Sequence, residues 1–366
     1  MIVPTHRVHN FNAGPAVLPL EALERARNEW FDFAGTGMSV LEMSHRSKEF
    51  LALHAEAQRL LRELMEIPES HHILFLQGGA SLQFDMVPRN LLGEGAGADY
   101  IVTGSWAEKA LEEGKRHGAA REIWAARESN FDHVPQPGDA LSIDPAARYV
   151  HLTSNNTIHG TQWKHFPDTG DVPLVADMSS DILSRPVDVS RFGLIYAGAQ
   201  KNLGPSGLTV VIIREDVLQS CAKNLGPMLA YRNHVKNDSL YNTPPTFAIY
   251  MLRNVLQWVK DLGGLPSITA RNERKAELLY EVIDAFPELY RGHARVDSRS
   301  TMNVTWTMSD EALEKRFLAA AQDRDLIGLK GHRSVGGFRA SVYNAMPLMG
   351  VRALVDHMRS FAERNA

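Results

Sequence analysis

A single lysine between two apolar segments constrains the fold of this chain more than any other feature. Residues 192–196 and 208–213 are short and apolar, as is typical of buried strands. Between them, Lys201 stands in a turn rich in glycine and proline. The lysine is therefore predicted to lie at the mouth of a sheet, where it can lose its proton and form a covalent bond with an aldehyde.

A lone carboxylate ends a neighbouring apolar segment. Asp177 follows Val175 and Ala176, upstream of Lys201. Pyridoxal phosphate enzymes need both a lysine that binds the aldehyde and a carboxylate that pairs with the pyridinium nitrogen. A lysine after a strand is most often an ordinary surface residue, but the combination of Lys201 with Asp177, Gln200 and the nearby glycines favours a cofactor site.

The composition is that of an ordinary globular protein, and it argues against nucleic-acid binding, membrane binding, disulfides and a metal site. The chain has 366 residues, 44% of them hydrophobic and 22% charged, with a net charge of −4. Its basic residues are scattered, so neither nucleic acid nor a membrane is expected as a partner. The one cysteine, Cys221, excludes an internal disulfide, and the histidines form no recognisable metal motif. No secretory signal is seen, and a cytoplasmic enzyme is expected.

Short strands alternate with helices through the middle of the chain. Six strands are predicted, at residues 73–76, 100–103, 148–153, 173–176, 192–196 and 208–213. Helices are predicted from the glycine turn at 78–81 to about residue 92, and over 105–114. This alternation favours an α/β fold with a mostly parallel sheet covered on both faces. Sites in such sheets form at the carboxyl ends of strands, where these segments are expected to converge.

The last third of the chain predicts a second, smaller α/β unit. Helices over 247–262 and 266–286 come first. They are followed by a strand at 302–306, a helix over 309–324 with Ser309 as its N-cap, a strand at 341–343 and a helix from Met349. We therefore predict an N-terminal arm (1–15) that packs with the small domain, a large cofactor-binding domain (16–268) and a small C-terminal domain (269–366).

Seven separated motifs resemble those of the phosphoserine aminotransferases, a family of fold-type I pyridoxal phosphate enzymes. They occur in the family's order from the N-terminal arm to the C-terminal region, which makes the set far more specific than any one member. The motifs are NAGPA (12–16), MSHRSKEF (43–50), QGGASLQF (77–84), TGSW (103–106), ADMSSD (176–181), AQKN (199–202) and GHRSVGGFR (331–339). The resemblance implies a large domain with a mostly parallel seven-stranded sheet and a smaller C-terminal α/β domain.

The resemblance also implies roles for residues around pyridoxal phosphate. Lys201 would hold the cofactor covalently and later move the proton, and Asp177 would keep the ring nitrogen protonated. Trp106 would stack on the ring and Thr157 would contact the ring hydroxyl. The phosphate would be bound by Gly79, Ala80, Ser81 and Gln200, and by Asn242 and Thr243 of the neighbouring subunit of a homodimer. Some family members carry an arginine where this chain has Ser81.

The substrates implied by the resemblance, L-glutamate and 3-phosphohydroxypyruvate, carry two anionic ends. Arg339 would bind the α-carboxylate, and two His-Arg pairs, His45–Arg46 and His332–Arg333, would bind the distal anion. The implied reaction forms O-phospho-L-serine and 2-oxoglutarate by a ping-pong mechanism in serine biosynthesis. A related four-carbon substrate, 3-hydroxy-2-oxo-4-phosphobutanoate, would give a second role in pyridoxine synthesis.

Three alternatives remain at this stage. One is another small-molecule aminotransferase of the same fold, such as the alanine–glyoxylate type. A cysteine desulfurase is disfavoured because Cys221 lies far in sequence from the site motifs. A non-catalytic binding protein on the same scaffold is disfavoured because Lys201 and Asp177 are both present.

Overall fold

A computed structural model describes residues 6–93 and 95–365 of the chain. The described residues form ten α-helices, which we number in chain order. They are α1 (Leu20–Asn28), α2 (Lys48–Met65), α3 (Gly79–Leu91), α4 (Ser105–His117), α5 (Glu215–Ser220), α6 (Tyr231–Lys236), α7 (Thr246–Asp261), α8 (Gly264–Ala285), α9 (Glu311–Gln322) and α10 (Leu348–Glu363).

The strands of the same residues fall into one large sheet, one three-stranded sheet and two short pairs. In chain order they are β1 (His9–Asn10), β2 (His71–Leu76), β3 (Gly97–Val102), β4 (Ala119–Ala125), β5 (Val150–Thr153), β6 (Asn155–Asn156), β7 (Thr161–Gln162), β8 (Leu174–Asp177), β9 (Phe192–Gly198), β10 (Thr209–Arg214), β11 (Arg291–Gly292), β12 (Asn303–Thr307), β13 (Leu326–Ile327) and β14 (Phe338–Ser341).

The large sheet has seven strands in the order β2-β10-β9-β8-β5-β3-β4. The pairs among β9, β8, β5, β3 and β4 are parallel, and only β10 runs against its neighbours. The predicted mostly parallel seven-stranded sheet is therefore confirmed. The residues alone predicted six of its strands and missed the edge strand β4, whose Arg121 and Glu122 are exposed and break the apolar pattern.

Helices cover both faces of this sheet and bury its side chains in two layers. On one face Ile195 and Ala197 of β9 pack in the layer that contains residues of α2 and α7. On the other face Leu194 and Tyr196 pack in the layer that contains residues of α3 and α4. Burial on both faces explains why the central strands are nearly continuous apolar runs.

A third core forms around the three-stranded sheet β11-β12-β14 with α8, α9 and α10. The N-terminal arm joins this core: β1 pairs in parallel with β13, and Phe11 is fully buried there. Helix α8 spans two cores, because Ile268 packs in the layer of α7 and Leu279 packs in the third core. The three-part division of the chain stays a prediction, and its boundary at residue 269 lies inside α8.

Two local predictions about this C-terminal part were wrong. Helix α9 begins at Glu311, and its N-cap is Asp310 rather than Ser309, because the Asp310 carboxylate accepts a 2.8 Å hydrogen bond from the Ala312 amide. The last strand is Phe338–Ser341 rather than 341–343, and it pairs antiparallel with β12. Among the described helices, none has the length and apolar character that crossing a membrane requires.

Candidate active site

Parallel strands of the large sheet end around one cavity of about 330 Å³. Strands β5 and β8 contribute their last residues, Thr153 and Asp177, and the segments after β3 and β9 contribute Trp106 and Lys201. This volume lies within the usual range for small-molecule sites. Ten of the predicted site residues line the cavity: Gly79, Ala80, Ser81, Trp106, Thr157, Asp177, Gln200, Lys201, His332 and Arg339.

A glycine turn aims helix α3 at the cavity. Gly78 is the N-cap of α3 and has a φ of 88°, and a Cβ there would lie 2.5 Å from the Leu82 side chain. The first-turn amides of Gly79, Ala80 and Ser81 find no acceptor among the residues that the structure describes. Free amides at a helix N-terminus form an anion-binding site, because the helix dipole adds to their partial positive charge.

A second glycine allows Trp106 to reach the cavity. A Cβ on Gly104 would lie 2.6 Å from Asn156 Oδ1, so only glycine lets α4 start this close to the loop that carries Thr157. The ring of Trp106 packs against Phe84 at 6.4 Å between centroids. Its buried Nε1 has no hydrogen-bond partner. A half-buried indole at the cavity wall can stack on a flat ligand.

Asp177 is a buried carboxylate whose charge is only partly stabilised. It is 4% exposed, and its Oδ1 accepts a 2.9 Å hydrogen bond from the Ser179 amide. Burial raises the pKa of Asp177, and Ser179 and the charge of Lys201 oppose that rise. A ligand cation beside this carboxylate would offset the desolvation that raises the pKa.

Lys201 stands across the cavity with its ammonium donating a 2.7 Å hydrogen bond to Thr157 Oγ1. Burial lowers the pKa of Lys201 to about 8, and Arg339 adds to that effect, whereas Asp177 opposes it. The N-terminal arm holds the neighbouring backbone, because the Ala16 amide donates a 2.8 Å hydrogen bond to the Gln200 carbonyl. A lysine in this state is partly a free amine near neutral pH and can act as a nucleophile or a base.

Arg339 brings an unneutralised guanidinium to the same cavity. Its Nη1 donates a 3.3 Å hydrogen bond to the Thr157 carbonyl, and its Nε is buried without a partner. Burial lowers the pKa of Arg339, and among the described residues no carboxylate opposes that effect. The pKa of His332 is also lowered, first by burial and then by the charges of Arg339, Arg333 and Lys109. The excess of positive charge suits an anionic substrate.

Five predicted site residues do not line this cavity. Arg46, Arg333 and Thr243 are exposed, and His45 is half-buried with an unpartnered Nε2. Asn242 donates a 3.1 Å hydrogen bond to Gln77 Oε1, beside the glycine turn of its own chain. The single chain therefore assembles the cofactor end of the predicted site and leaves part of the anion-binding set at the surface.

The cavity also contains residues that the sequence analysis did not assign. Thr153, Asn155, Ile158, Ser179 and Ser180 line it, together with Ala13 and Gly14 of the N-terminal arm. Ser179 and Ser180 could have been found, because they belong to the motif that contains Asp177. Ala13 and Gly14 belong to the NAGPA motif of the arm, to which the sequence analysis gave no role in the site. Tyr343, which donates a 2.7 Å hydrogen bond to the Ala13 carbonyl, carries no signal in the sequence.

Comparison with known proteins settles the family. The class-V aminotransferase family matches residues 8–354. The phosphoserine aminotransferase of Geobacillus kaustophilus is 57% identical over 98% of this chain and 99% of its own length. The chain belongs to the phosphoserine aminotransferase family. The structure of the phosphoserine aminotransferase from Bacillus circulans subsp. alkalophilus is similar, with a TM-score of 0.96 and 53% identity over 98% of this chain and 99% of that one.

A PLP-bound phosphoserine aminotransferase from Trichomonas vaginalis is similar over 96% of this chain and 100% of its own, with a TM-score of 0.91 and 41% identity. The residues of the present cavity fit such a cofactor. Free amides at the start of α3 suit its phosphate, the buried Asp177 suits a ring cation, and Lys201 suits its aldehyde. The half-buried Trp106 ring at the cavity wall offers a surface for a flat ring.

Attack of Lys201 on the cofactor aldehyde requires the unprotonated amine, so covalent loading is expected to depend on pH. The rate at which cofactor-free enzyme recombines with pyridoxal phosphate should rise through a midpoint near the Lys201 pKa of about 8. Asp177→Asn removes a charge that favours the ammonium, so the midpoint should move to lower pH. Stopped-flow absorbance across this range measures both midpoints. An unchanged midpoint in Asp177→Asn would contradict the coupling between these two groups.

Proposed function

We propose that this enzyme transfers the amino group of L-glutamate to 3-phosphohydroxypyruvate and forms O-phosphoserine and 2-oxoglutarate. The observation that carries the proposal is the meeting of Lys201, Asp177 and an unneutralised Arg339 in one cavity. The relatives at 53–57% identity are named phosphoserine aminotransferases, which supports O-phosphoserine as the amino acid of the reaction. Pyridoxal phosphate is the cofactor. We also propose that the enzyme is located in the cytoplasm, and the buried Cys221, which forms no disulfide, supports this.

The cofactor supplies the electron sink, because its protonated ring delocalises the electron pair left on the substrate α-carbon. Lys201 would hold the cofactor through its Nζ, and once an amino substrate displaces it, the same Nζ would be free to take the proton of the substrate α-carbon and hold it for return. Asp177 would keep the ring nitrogen protonated, and Trp106 and Thr157 would orient the ring. The amides of residues 79–81, with Gln200, would hold the phosphate.

The two ends of the substrate are bound by separate cations in this proposal. Arg339 binds the α-carboxylate that all its amino and keto acids share, and its hydrogen bond to the Thr157 carbonyl orients the guanidinium. His332 and Arg333, with His45 and Arg46, bind the phosphate or the glutamate side chain. The same distal group would accept 3-hydroxy-2-oxo-4-phosphobutanoate, the substrate of the second proposed role.

Amino transfer from glutamate to 3-phosphohydroxypyruvate, followed by O-phosphoserine formation, tests the function directly. We expect turnover that Lys201→Ala abolishes while some cofactor stays bound through its phosphate. Hydroxypyruvate should be a much poorer acceptor because it lacks the phosphate. Faster transfer from alanine to glyoxylate would favour the alternative aminotransferase class and contradict the proposal.

Separate recognition of the two ends predicts different specificity effects for two arginines. Arg333→Ala should weaken kcat/KM for 3-phosphohydroxypyruvate by about 1.5–3 kcal/mol and change that for hydroxypyruvate little. Arg339→Ala should penalise both substrates alike, because both carry the α-carboxylate. Steady-state kinetics with each variant and each acceptor give the comparison. An equal penalty on the two acceptors in Arg333→Ala would overturn its role at the distal anion.

We further propose that the active enzyme is a homodimer in which Asn242 and Thr243 reach the cofactor phosphate of the neighbouring subunit. An exposed apolar surface supports this proposal. Phe31 is 83% exposed, and Trp30 and Tyr241 are also exposed. The Trp30 ring contacts Phe247 at 5.7 Å between centroids, close in sequence to Asn242 and Thr243. Exposed apolar patches of this kind are typical of subunit interfaces.

A mixed dimer tests whether the sites are shared. One subunit carries Lys201→Ala and the other carries Asn242→Ala with Thr243→Ala, and different affinity tags allow purification of the heterodimer. In a shared arrangement one site receives both defects and the other receives neither, so about half of the parent activity per dimer should return.

The matched control pairs Lys201→Ala with Asp177→Asn. Both of these residues belong to the same chain's cavity, so each site of that heterodimer has one defect and activity should stay low. No recovery in the first heterodimer would place Asn242 and Thr243 in the site of their own subunit or outside any site.

A further inference from the structure

A second cavity lies apart from the active site, where the N-terminal arm meets α8. Its volume is about 700 Å³, and we call it the seam cavity. The arm (residues 7–10), residues 17–21, the end of α7, the first half of α8 and residues 344–349 enclose it. Most of its walls are apolar side chains, for example Val17, Trp258 and Met346. The cavity is large enough for a small organic molecule.

Lys275 of α8 places a buried ammonium in the wall of this cavity. It is 2% exposed, and its Nζ donates hydrogen bonds of 2.7 Å to the Val342 carbonyl and 2.6 Å to the Tyr343 carbonyl. An ammonium has three donors, so one remains beyond these two bonds. Burial lowers the pKa of Lys275 to about 7, and the charge of Arg271 adds to the effect.

Lys275 differs from two other lysines, Lys201 and Lys164, because no carboxylate attracts it. Burial also lowers the pKa of Lys201 and of Lys164, but carboxylates attract both: Asp177 and Asp181 act on Lys201, and Asp181 and Glu273 act on Lys164. For Lys275 no carboxylate opposes the effect of burial. A buried cation without a counter-ion is costly, so an anion beside it would be strongly favoured.

The remaining charges of the seam cavity also favour an anion. Arg7 and Arg271 line it, and among the described residues neither forms an ion pair with a carboxylate. Arg274 is paired with Glu277 at 2.5 Å. Glu21 is the one carboxylate among the lining residues. The cavity wall thus has three cations without an ion pair, Arg7, Arg271 and Lys275, and one acidic group. Of these cations, Arg7 donates a 2.9 Å hydrogen bond to the Leu18 carbonyl.

The wall that holds Lys275 continues directly into the active site. Tyr343, whose carbonyl accepts from Lys275, donates its hydroxyl to the Ala13 carbonyl at the active-site cavity. The amide of the next residue, Asn344, donates a 3.0 Å hydrogen bond to Asn202 Oδ1, beside Lys201. Arg339 lies in β14, at the start of the same segment. One short segment therefore borders both cavities.

We propose that the seam cavity is an effector site for a small organic anion with an apolar body, a carboxylate or sulfonate carried on a hydrophobic frame. The anionic group pairs with Lys275 and Arg271, and the apolar part fills the space between the arm, α7 and residues 344–349. Pairing draws the ammonium away from the Tyr343 carbonyl and loosens the segment that holds Arg339. Binding therefore raises the KM for glutamate more than it changes kcat.

The fluorescent sulfonate 8-anilinonaphthalene-1-sulfonate has this chemistry and serves as the probe, titrated into the holoenzyme. Lys275→Met should weaken probe binding about tenfold or more, because it removes the buried charge. That variant also loses two hydrogen bonds, so Ser267→Phe, which places a bulky ring in the cavity and keeps Lys275, is the independent test and should also weaken probe binding. Arg359→Gln, an exposed change on α10 outside the cavity, is the matched control and should bind like the parent.

Fluorescence does not depend on turnover, so the result is independent of the proposed reaction. Equal probe affinity in the parent, Lys275→Met and Ser267→Phe would overturn the site. Probe fluorescence per subunit could also fall as the protein concentration rises. That result would show that a second copy of the chain covers the seam cavity, and it would overturn the effector site. A different result would overturn only the effector role. In that case Ser267→Phe weakens probe binding, but the bound probe leaves the parent's KM for glutamate unchanged.

Discussion

The electrostatic pairing of Lys201 with Asp177 is the interaction on which the active site depends. Burial acts on the two groups in opposite directions: it raises the pKa of the carboxyl and lowers that of the amine. Each group partly restores the charged form of the other across the cavity. Neither can be removed without changing the proton affinity of its partner, which makes the pair sensitive to any ligand that inserts between them. A cofactor with a cationic ring nitrogen and an aldehyde satisfies both at once.

The sheet brings this pair together at little conformational cost. Asp177 ends β8 and Lys201 follows β9, and these strands are parallel neighbours that pair Asp177 with Tyr196. The side chains after two adjacent parallel strands must leave the sheet at the same edge. Trp106 and Thr157 reach the edge by the same rule, since they follow β3 and β5. The antiparallel β10 follows this turn and pairs with β9, so the segment that carries Lys201 connects two neighbouring strands.

The sequence predicted these parts because each combines a strand pattern with a chemically specific residue at its end. The apolar runs before Asp177 and Lys201 are buried on both faces and are therefore easy to recognise. Strand β4 lies at an exposed edge, and its polar residues break the apolar pattern by which a strand is predicted. The N-cap of α9 was assigned one residue early, because serine and aspartate are equally good caps and only the hydrogen bond to Ala312 distinguishes them. Tyr343 and Lys275 depend on contacts between distant segments, which no local pattern encodes.

The partners of the cations in this protein differ, and the difference bears on both cavities. The half-buried Arg62 donates to three internal carbonyls, among them the His71 carbonyl, and its Nε lies 4.0 Å from Glu69 Oε1. Arg339 and Lys275 are different, because each lines an open cavity and lacks a carboxylate partner. A charge that only stabilised the fold would gain more from a carboxylate or from replacement by an apolar side chain. Arg339 is explained by the α-carboxylate of the substrate, and by the same reasoning Lys275 implies an anion of its own.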